Sequence, residues 1–204
     1  MGDDKPIASR RPLKSRSTGW AKSAARGAIK IGLSADQISF LGIIIAGAGA
    51  WALLQAPDQK WLYVLAAVFI QLRLLANMLD GMVALEGGRG GPAGAIWNEF
   101  PDRIEDSLLL VAAGYSAGWG WLGWLTALLA AICAYVRLLG GSLGRPQDFG
   151  GPMAKPHRMA ALTTACLVTP ATPSFMLLAL SLIAAGTLLT IALRLSRLSK
   201  ALRG

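Results

Sequence analysis

Apolar runs of about 20 residues recur along this chain, close to what a helix needs to cross a hydrocarbon core about 30 Å thick. Six are legible, near residues 38–56, 61–85, 98–118, 121–139, 156–170 and 174–194; the fifth is short and bounded by Pro156 and Pro170. Hydrophobic residues make up 54% of the 204 and charged residues 15%, whereas soluble domains average about 45–50% and about 25%. The reading is one all-α integral membrane domain of six transmembrane helices.

The net charge of +9 would suggest nucleic acid in a soluble protein. Here the basic residues cluster at the ends of apolar runs, so nucleic acid is not expected as a partner. Sixteen lie before the first run, in the second and fourth connections or in the tail, against Lys60 alone on the other side. By the positive-inside rule both termini are cytoplasmic. Trp51, Trp61, Trp119, Trp121 and Trp124 then mark the outer interface. Three segments are expected: a flexible basic stretch over 1–16, an interfacial amphipathic helix over 17–33 and the membrane domain over 34–204. In the helix, Lys22, Arg26 and Lys30 recur every fourth residue, with Trp20, Ala24, Ala28 and Ile31 on another face. Ser34 and Gln37 have capping-box spacing ahead of the first run. No apolar stretch precedes Ile38, so a cleavable signal peptide is not expected. Cys133 and Cys166 sit in apolar runs without metal-ligand spacing and read as packing residues.

One stretch breaks the apolar pattern. Asp80 closes the second run, and Glu99, Asp102, Glu105 and Asp106 open the third. A charge at the centre of a spanning helix costs about 2.5–3.5 kcal/mol, so a bound cation is the expected compensation. At about 100° per residue, Asn77, Asp80, Gly81 and Ala84 share one helix face. Asn98, Asp102, Glu105 and Asp106 share another, with Glu99 at its edge. Facing oxygen-rich stripes suit Mg²⁺ or Mn²⁺. Gly81, Ala84 and Gly94 are small enough to admit a bulky ligand.

These residues resemble the CDP-alcohol phosphatidyltransferases, whose motif reads D-x-x-D-G-x-x-A-R-x8-G-x-x-x-D-x-x-x-D. Asp80, Gly81, Ala84, Gly94 and Asp102 match it in identity and spacing, while Asn77, Leu85 and Asn98 depart. The resemblance covers roughly residues 15–200. It implies two divalent ions, Mg²⁺ or Mn²⁺, holding the diphosphate of a CDP-linked lipid donor such as CDP-diacylglycerol. A hydroxyl acceptor then attacks the lipid phosphorus and CMP leaves. Carried over by position, Asn77, Asp80 and Asn98 surround the metals, and Asp102 is both ligand and candidate base. Asp80, Gly81, Ala84 and Gly94 fall at the CDP-alcohol site, and Arg89 is the nearest replacement for the missing motif arginine. Where the family's acceptors are phosphorylated, basic residues in this region bind them, which here points to Arg137, Lys155 and Arg158. The resemblance also implies a homodimer in a bacterial inner membrane, surrounded by membrane lipids, with the active site facing the cytoplasm.

The motif positions carry two negative charges where four aspartates would carry four. Glu99 and Asp106 are expected to restore the difference as ligands. Glu99 has an alternative place at the solvated rim, Asp106 an alternative partner in Arg73, and Glu105 reads as structural. Arg137, Lys155 and Arg158 also fit ordinary positive-inside charge, Arg145 fits nothing else, and His157 has no neighbour suggesting catalysis. Two rival functions remain: a non-catalytic relative that binds nucleotide or lipid for a partner, and a small cation transporter. Acids gathered near one membrane face disfavour the transporter.

Overall fold

A computed structural model describes residues 18–86 and 94–203, the side chains of residues 85, 86, 94, 95 and 98 excepted. The expectation for residues 1–16 lies outside the described residues. Seven helices follow one another: α1 (Gly19–Lys30), α2 (Ala35–Gln55), α3 (Trp61–Glu86), α4 (Gly94–Ser116), α5 (Gly120–Ser142), α6 (Lys155–Val168) and α7 (Phe175–Arg203). Their bounds fall within a few residues of the apolar runs, and α7 continues as a helix into the basic tail, a continuation the sequence leaves open. Four of them, α2, α3, α5 and α7, are long and apolar enough to cross a membrane.

Ser34 closes the expected capping box on α2: its Oγ accepts from Gln37 N at 3.2 Å, and its own N–H donates to Gln37 Oε1 at 2.9 Å. α2 packs mainly on α3 and α4, α4 on α5, and α5 on α7, while α6 leans on α3 and α7. The core between them is built from small and branched side chains, among them Ala46, Leu53, Ile70, Leu109, Leu162 and Ile183. The outward faces carry Phe40, Ile44, Leu54, Val68, Leu128 and Leu182, all exposed. A surface this apolar fits lipid rather than water.

α1 lies across the end of α3, burying Ala21 and Ala25 against Met78, Met82 and Val83. Trp20 and Ile31 stay outward. The helix thus has an alanine face toward the protein beside its separate basic and apolar faces.

Gly114 and Gly118 have uses within the chain. A Cβ on Gly114 would stand 2.5 Å from Gly123 Cα, so the pair sets the closest approach of α4 to α5. Gly118 takes a left-handed φ of 75°. There Trp119 N–H reaches Gly114 O at 2.8 Å and Gly118 N–H reaches Tyr115 O at 3.0 Å, the paired bonds of a Schellman stop.

Candidate active site

Six helices deliver polar side chains to the same end of the bundle. Ser39 comes from the start of α2, Asn77 and Asp80 from the last turns of α3, and Glu99 to Asp106 from the first turns of α4. Arg137 comes from the end of α5, Lys155 and Arg158 from the start of α6, and Arg194 from α7. Alternating helix direction makes this possible, because each connection at that end joins a helix that has just arrived to one about to leave.

The carboxylates form layers. Nearest the end, Asp80 is 6% exposed; its Oδ2 accepts from Ser39 Oγ at 2.8 Å, and its Oδ1 is buried with no hydrogen-bond partner. Across from it, Asp102 Oδ1 accepts from Asn77 Nδ2 at 2.5 Å and from the Lys155 ammonium, while its Oδ2 meets Arg103 at 3.4 Å. One turn further along α4, Glu105 is fully buried. Its Oε2 accepts from Asn77 Nδ2 at 2.9 Å and from Arg73 Nε at 2.7 Å, and its Oε1 has no partner. Beside it, Asp106 pairs with Arg73 through one oxygen and with Arg158 at 3.3 Å through the other. Arg73 and Arg158 are themselves buried. A buried charge needs a partner of this kind, since desolvation alone costs several kcal/mol per ion.

Toward the rim, Glu99 Oε2 meets Arg137 at 2.5 Å and Arg103 at 3.7 Å. Arg137 also donates to Gln147 Oε1 and lies 5.1 Å from the centre of the Phe149 ring. Behind it opens a cavity of about 160 Å³, whose lining includes Arg137, Arg145, Asp148, Arg194 and Arg197. Arg194 is pinned to Gly150 O at 3.0 Å and Cys133 O at 2.9 Å; Arg197 pairs with Asp148 at 3.1 Å. The lining thus carries four guanidinium groups and one carboxylate, with Arg137 also paired to Glu99, a net positive surround that suits an anion.

Asn77, Asp80 and Asp102 converge as the helix faces predicted, and Lys155 joins them. Of the two readings of Asp106, the structure displays the ion pair with Arg73, extended to Arg158. Both Asp106 oxygens are thereby occupied, and the guanidinium of Arg158 faces inward. Glu99 is turned to Arg137 and Arg103 rather than to Asp80. Gly81 is buried and Ala84 partly so. The expectations for Arg89 and for the side chain of Asn98 lie outside the described residues, as do the surroundings of Gly94. Sequence reasoning did not single out Ser39, and it gave Arg194 no more than tail charge. The signal for Arg194 was the one that flagged Arg137, a basic residue flanked by leucine or valine.

The donor set suits a hard divalent cation. Two buried carboxylate oxygens, on Asp80 and Glu105, lack any partner, and such groups are rarely left unsatisfied. Among the described residues, no three His, Cys, Asp or Glu side chains form a complete cage. An ion here would therefore use one or two carboxylates and take its other ligands from water or a ligand's phosphates, as Mg²⁺ commonly does.

No protein-family model matches the chain. It is 27% identical over 146 residues to a phosphatidylinositol phosphate synthase of Mycolicibacterium smegmatis, covering 68% of this chain and 64% of that one. It is 30% identical over 142 residues to the protein of the same name from Mycobacterium marinum, covering 66% and 58%. The matched region spans less than two thirds of either relative's length. Among solved structures, the phosphatidylinositol phosphate synthase of Mycobacterium tuberculosis in complex with manganese and citrate is similar at a TM-score of 0.76, with 23% identity over 87% of this chain and 88% of that one. The same protein with CDP-DAG bound gives a TM-score of 0.74, with 24% identity over 87% and 92%.

Proposed function

We propose that this chain is a CDP-alcohol phosphatidyltransferase that transfers a phosphatidyl group from a CDP-linked lipid to a hydroxyl acceptor and releases CMP, a reading supported by its similarity to the phosphatidylinositol phosphate synthases. One observation carries the reading: Asp102, bonded to Asn77 one turn before Asp80 on α3, is linked through Arg103 and Glu99 to Arg137, which lines the arginine-rich cavity. A diphosphate donor and an anionic acceptor thus have adjacent places. The relatives' name supports a phosphorylated alcohol as acceptor, its phosphate held by Arg137 and Arg194 with Lys155 nearby.

Asp80 and Asp102 would hold the divalent ions, with Asn77 and Asn98 offering amide oxygens. Bound there, the ions would neutralise phosphate charge and stabilise the departing CMP. The remaining steps fall to side chains. Ser39 fixes the Asp80 carboxylate. Gly81 and Ala84 would line the approach of the CDP-alcohol, and the family motif assigns Gly94 and, in place of its arginine, Arg89 to the same site. Asp102 accepts the acceptor's hydroxyl proton as the new oxygen–phosphorus bond forms on the lipid side of the diphosphate. The bridging oxygen–phosphorus bond breaks and its electron pair leaves with CMP. Glu99 and Asp106 keep Arg137 and Arg158 in place. Six spans, with α4 and α6 included, cytoplasmic termini, a homodimer and a bacterial inner membrane belong to the same reading.

Purified protein given CDP-diacylglycerol, Mg²⁺ or Mn²⁺ and a panel of phosphorylated and plain alcohols should release CMP, and Asp102→Asn should abolish that release. Metal-dependent binding of the donor with no CMP from any acceptor would favour a non-catalytic binder instead. The engagement of Asp102 by Lys155, Asn77 and Arg103 is the feature that reading would build on.

A further inference from the structure

The family motif places an aspartate where this chain has Asn77. In the structure Asn77 behaves as a donor: its amide nitrogen bridges Asp102 at 2.5 Å and Glu105 at 2.9 Å. An aspartate there would instead present a third carboxylate to two others. The charge missing from α3 reappears on α4, at Glu105. That carboxylate is fully buried, its Oε2 is held by Arg73 and Asn77, and its Oε1 is left without a partner.

Oε1 lies in a cradle that the backbone provides. A Cβ on Gly42 would meet Glu105 Oε1 at 2.5 Å and Asn77 Oδ1 at 3.5 Å, so both oxygens pack against the bare backbone of α2 at Gly42. One turn back along α2, Ser39 holds Asp80, whose own unpartnered Oδ1 is buried in the neighbouring layer. Two orphaned carboxylate oxygens and an amide oxygen therefore sit in adjacent layers, gathered from α3 and α4 and backed by α2. Water or hydrogen-bond donors satisfy such groups elsewhere; here Arg73 Nε and Asn77 Nδ2 both serve Glu105 Oε2, and Arg73 Nη1, buried and itself without a partner, is not bonded to Oε1.

We propose that Glu105 is a ligand of the divalent-cation site in this chain, supplying the charge that Asn77 does not carry. The proposal rests on the functional reading above, in which Asp80 and Asp102 hold divalent ions. It assigns the compensation to Glu105 rather than to Asp106, both of whose oxygens are held by arginines, or to Glu99, whose Oε2 is held by Arg137 and Arg103. Arg73 then orients Glu105 as a buried outer partner, a role that commonly shifts metal affinity by about 10–100-fold.

Mn²⁺ binding by the purified full chain in detergent, followed by electron paramagnetic resonance of the free ion, tests this without turnover. The wild type should bind. Glu105→Gln keeps an oxygen for Arg73 and Asn77 but loses the charge, and should weaken binding about tenfold or more. Asn77→Asp combined with Glu105→Gln returns the charge to α3 and should recover most of the affinity. Gly42→Ala, which puts a methyl group where Oε1 lies and touches only the far end of a side chain, should weaken binding with every ligand present. Wild-type affinity in both Glu105→Gln and Gly42→Ala would overturn the assignment of Glu105 alone. A folded double variant that recovers nothing would overturn the relocation of charge. Absence of Mn²⁺ binding by the wild type would overturn the metal reading itself and this proposal with it.

Discussion

At the residue scale, the buried ions divide into those held by the protein and those left for a ligand. Asp106 belongs to the first group. It is 3% exposed and is the only carboxylate that pairs with Arg158 among the described residues. Asp106→Asn would strand Arg158, whereas Arg73 keeps Glu105. The expected loss is about 3–5 kcal/mol, the range for a broken buried pair, read by thermal unfolding in detergent. Adding Arg158→Met should recover much of it, and adding Arg73→Met should not, because that strands Glu105. Equal rescue by both would contradict this division. Asp80 and Asp102 were legible from spacing alone, because a long motif fixes both helix faces at once. For Asp106 two partners stayed open, a cation and Arg73, because a helical wheel gives the direction of a side chain but not what stands opposite it on another helix. Glu105 read as structural, and the contact that motivates its proposed ligand role, with Gly42 of α2, was not legible because the sequence does not say which helix packs behind the two facing stripes.

At the element scale, helix positions followed from apolar length, and the packing between helices did not. Gly114 and Gly118, four residues apart, read as a small-residue face of the kind that lets another helix approach closely. The structure uses Gly114 to seat α5 and Gly118 to turn the chain. A Cβ on Gly123 would stand 2.8 Å from Val111 O and 2.9 Å from Leu110 O. Those are backbone atoms and cannot rotate away, so Gly123→Ala must push α5 off α4. The expected cost is about 1–3 kcal/mol, seen as a lower unfolding temperature in detergent. Gly27 in α1 supplies the comparison. Nothing lies within 4 Å of its added Cβ, so Gly27→Ala should hold or raise stability, by about 0.5–1 kcal/mol on helix propensity. A Gly123→Ala protein as stable as Gly27→Ala would mean that the α4–α5 contact is looser than it stands.

At the scale of the whole molecule, function depends on which end of each helix carries polarity. α2, α4 and α6 begin at the active-site end, and α3, α5 and α7 finish there, so six short polar segments distant in sequence become one site. The same alternation sorts the remaining charges. The arginines of the cavity gather at that end, while exposed Trp51, Trp61, Trp119, Trp121 and Trp124 gather at the other. Aromatic rings favour the membrane–water boundary, and basic connections stay in the cytoplasm. Under the proposed function, a cytoplasmic site requires the nucleotide end of the donor to lie on that side of the membrane. Single cysteines at two exposed positions separate the two possible orientations. Asp58→Cys, between α2 and α3, should react with an impermeant thiol reagent added to intact cells, and Ser142→Cys, at the end of α5, should react only after the membrane is opened. Cys133 and Cys166 are both buried and should contribute little background. Labelling of Ser142→Cys from outside would invert the molecule and remove the donor from the reach of Asp80 and Asp102.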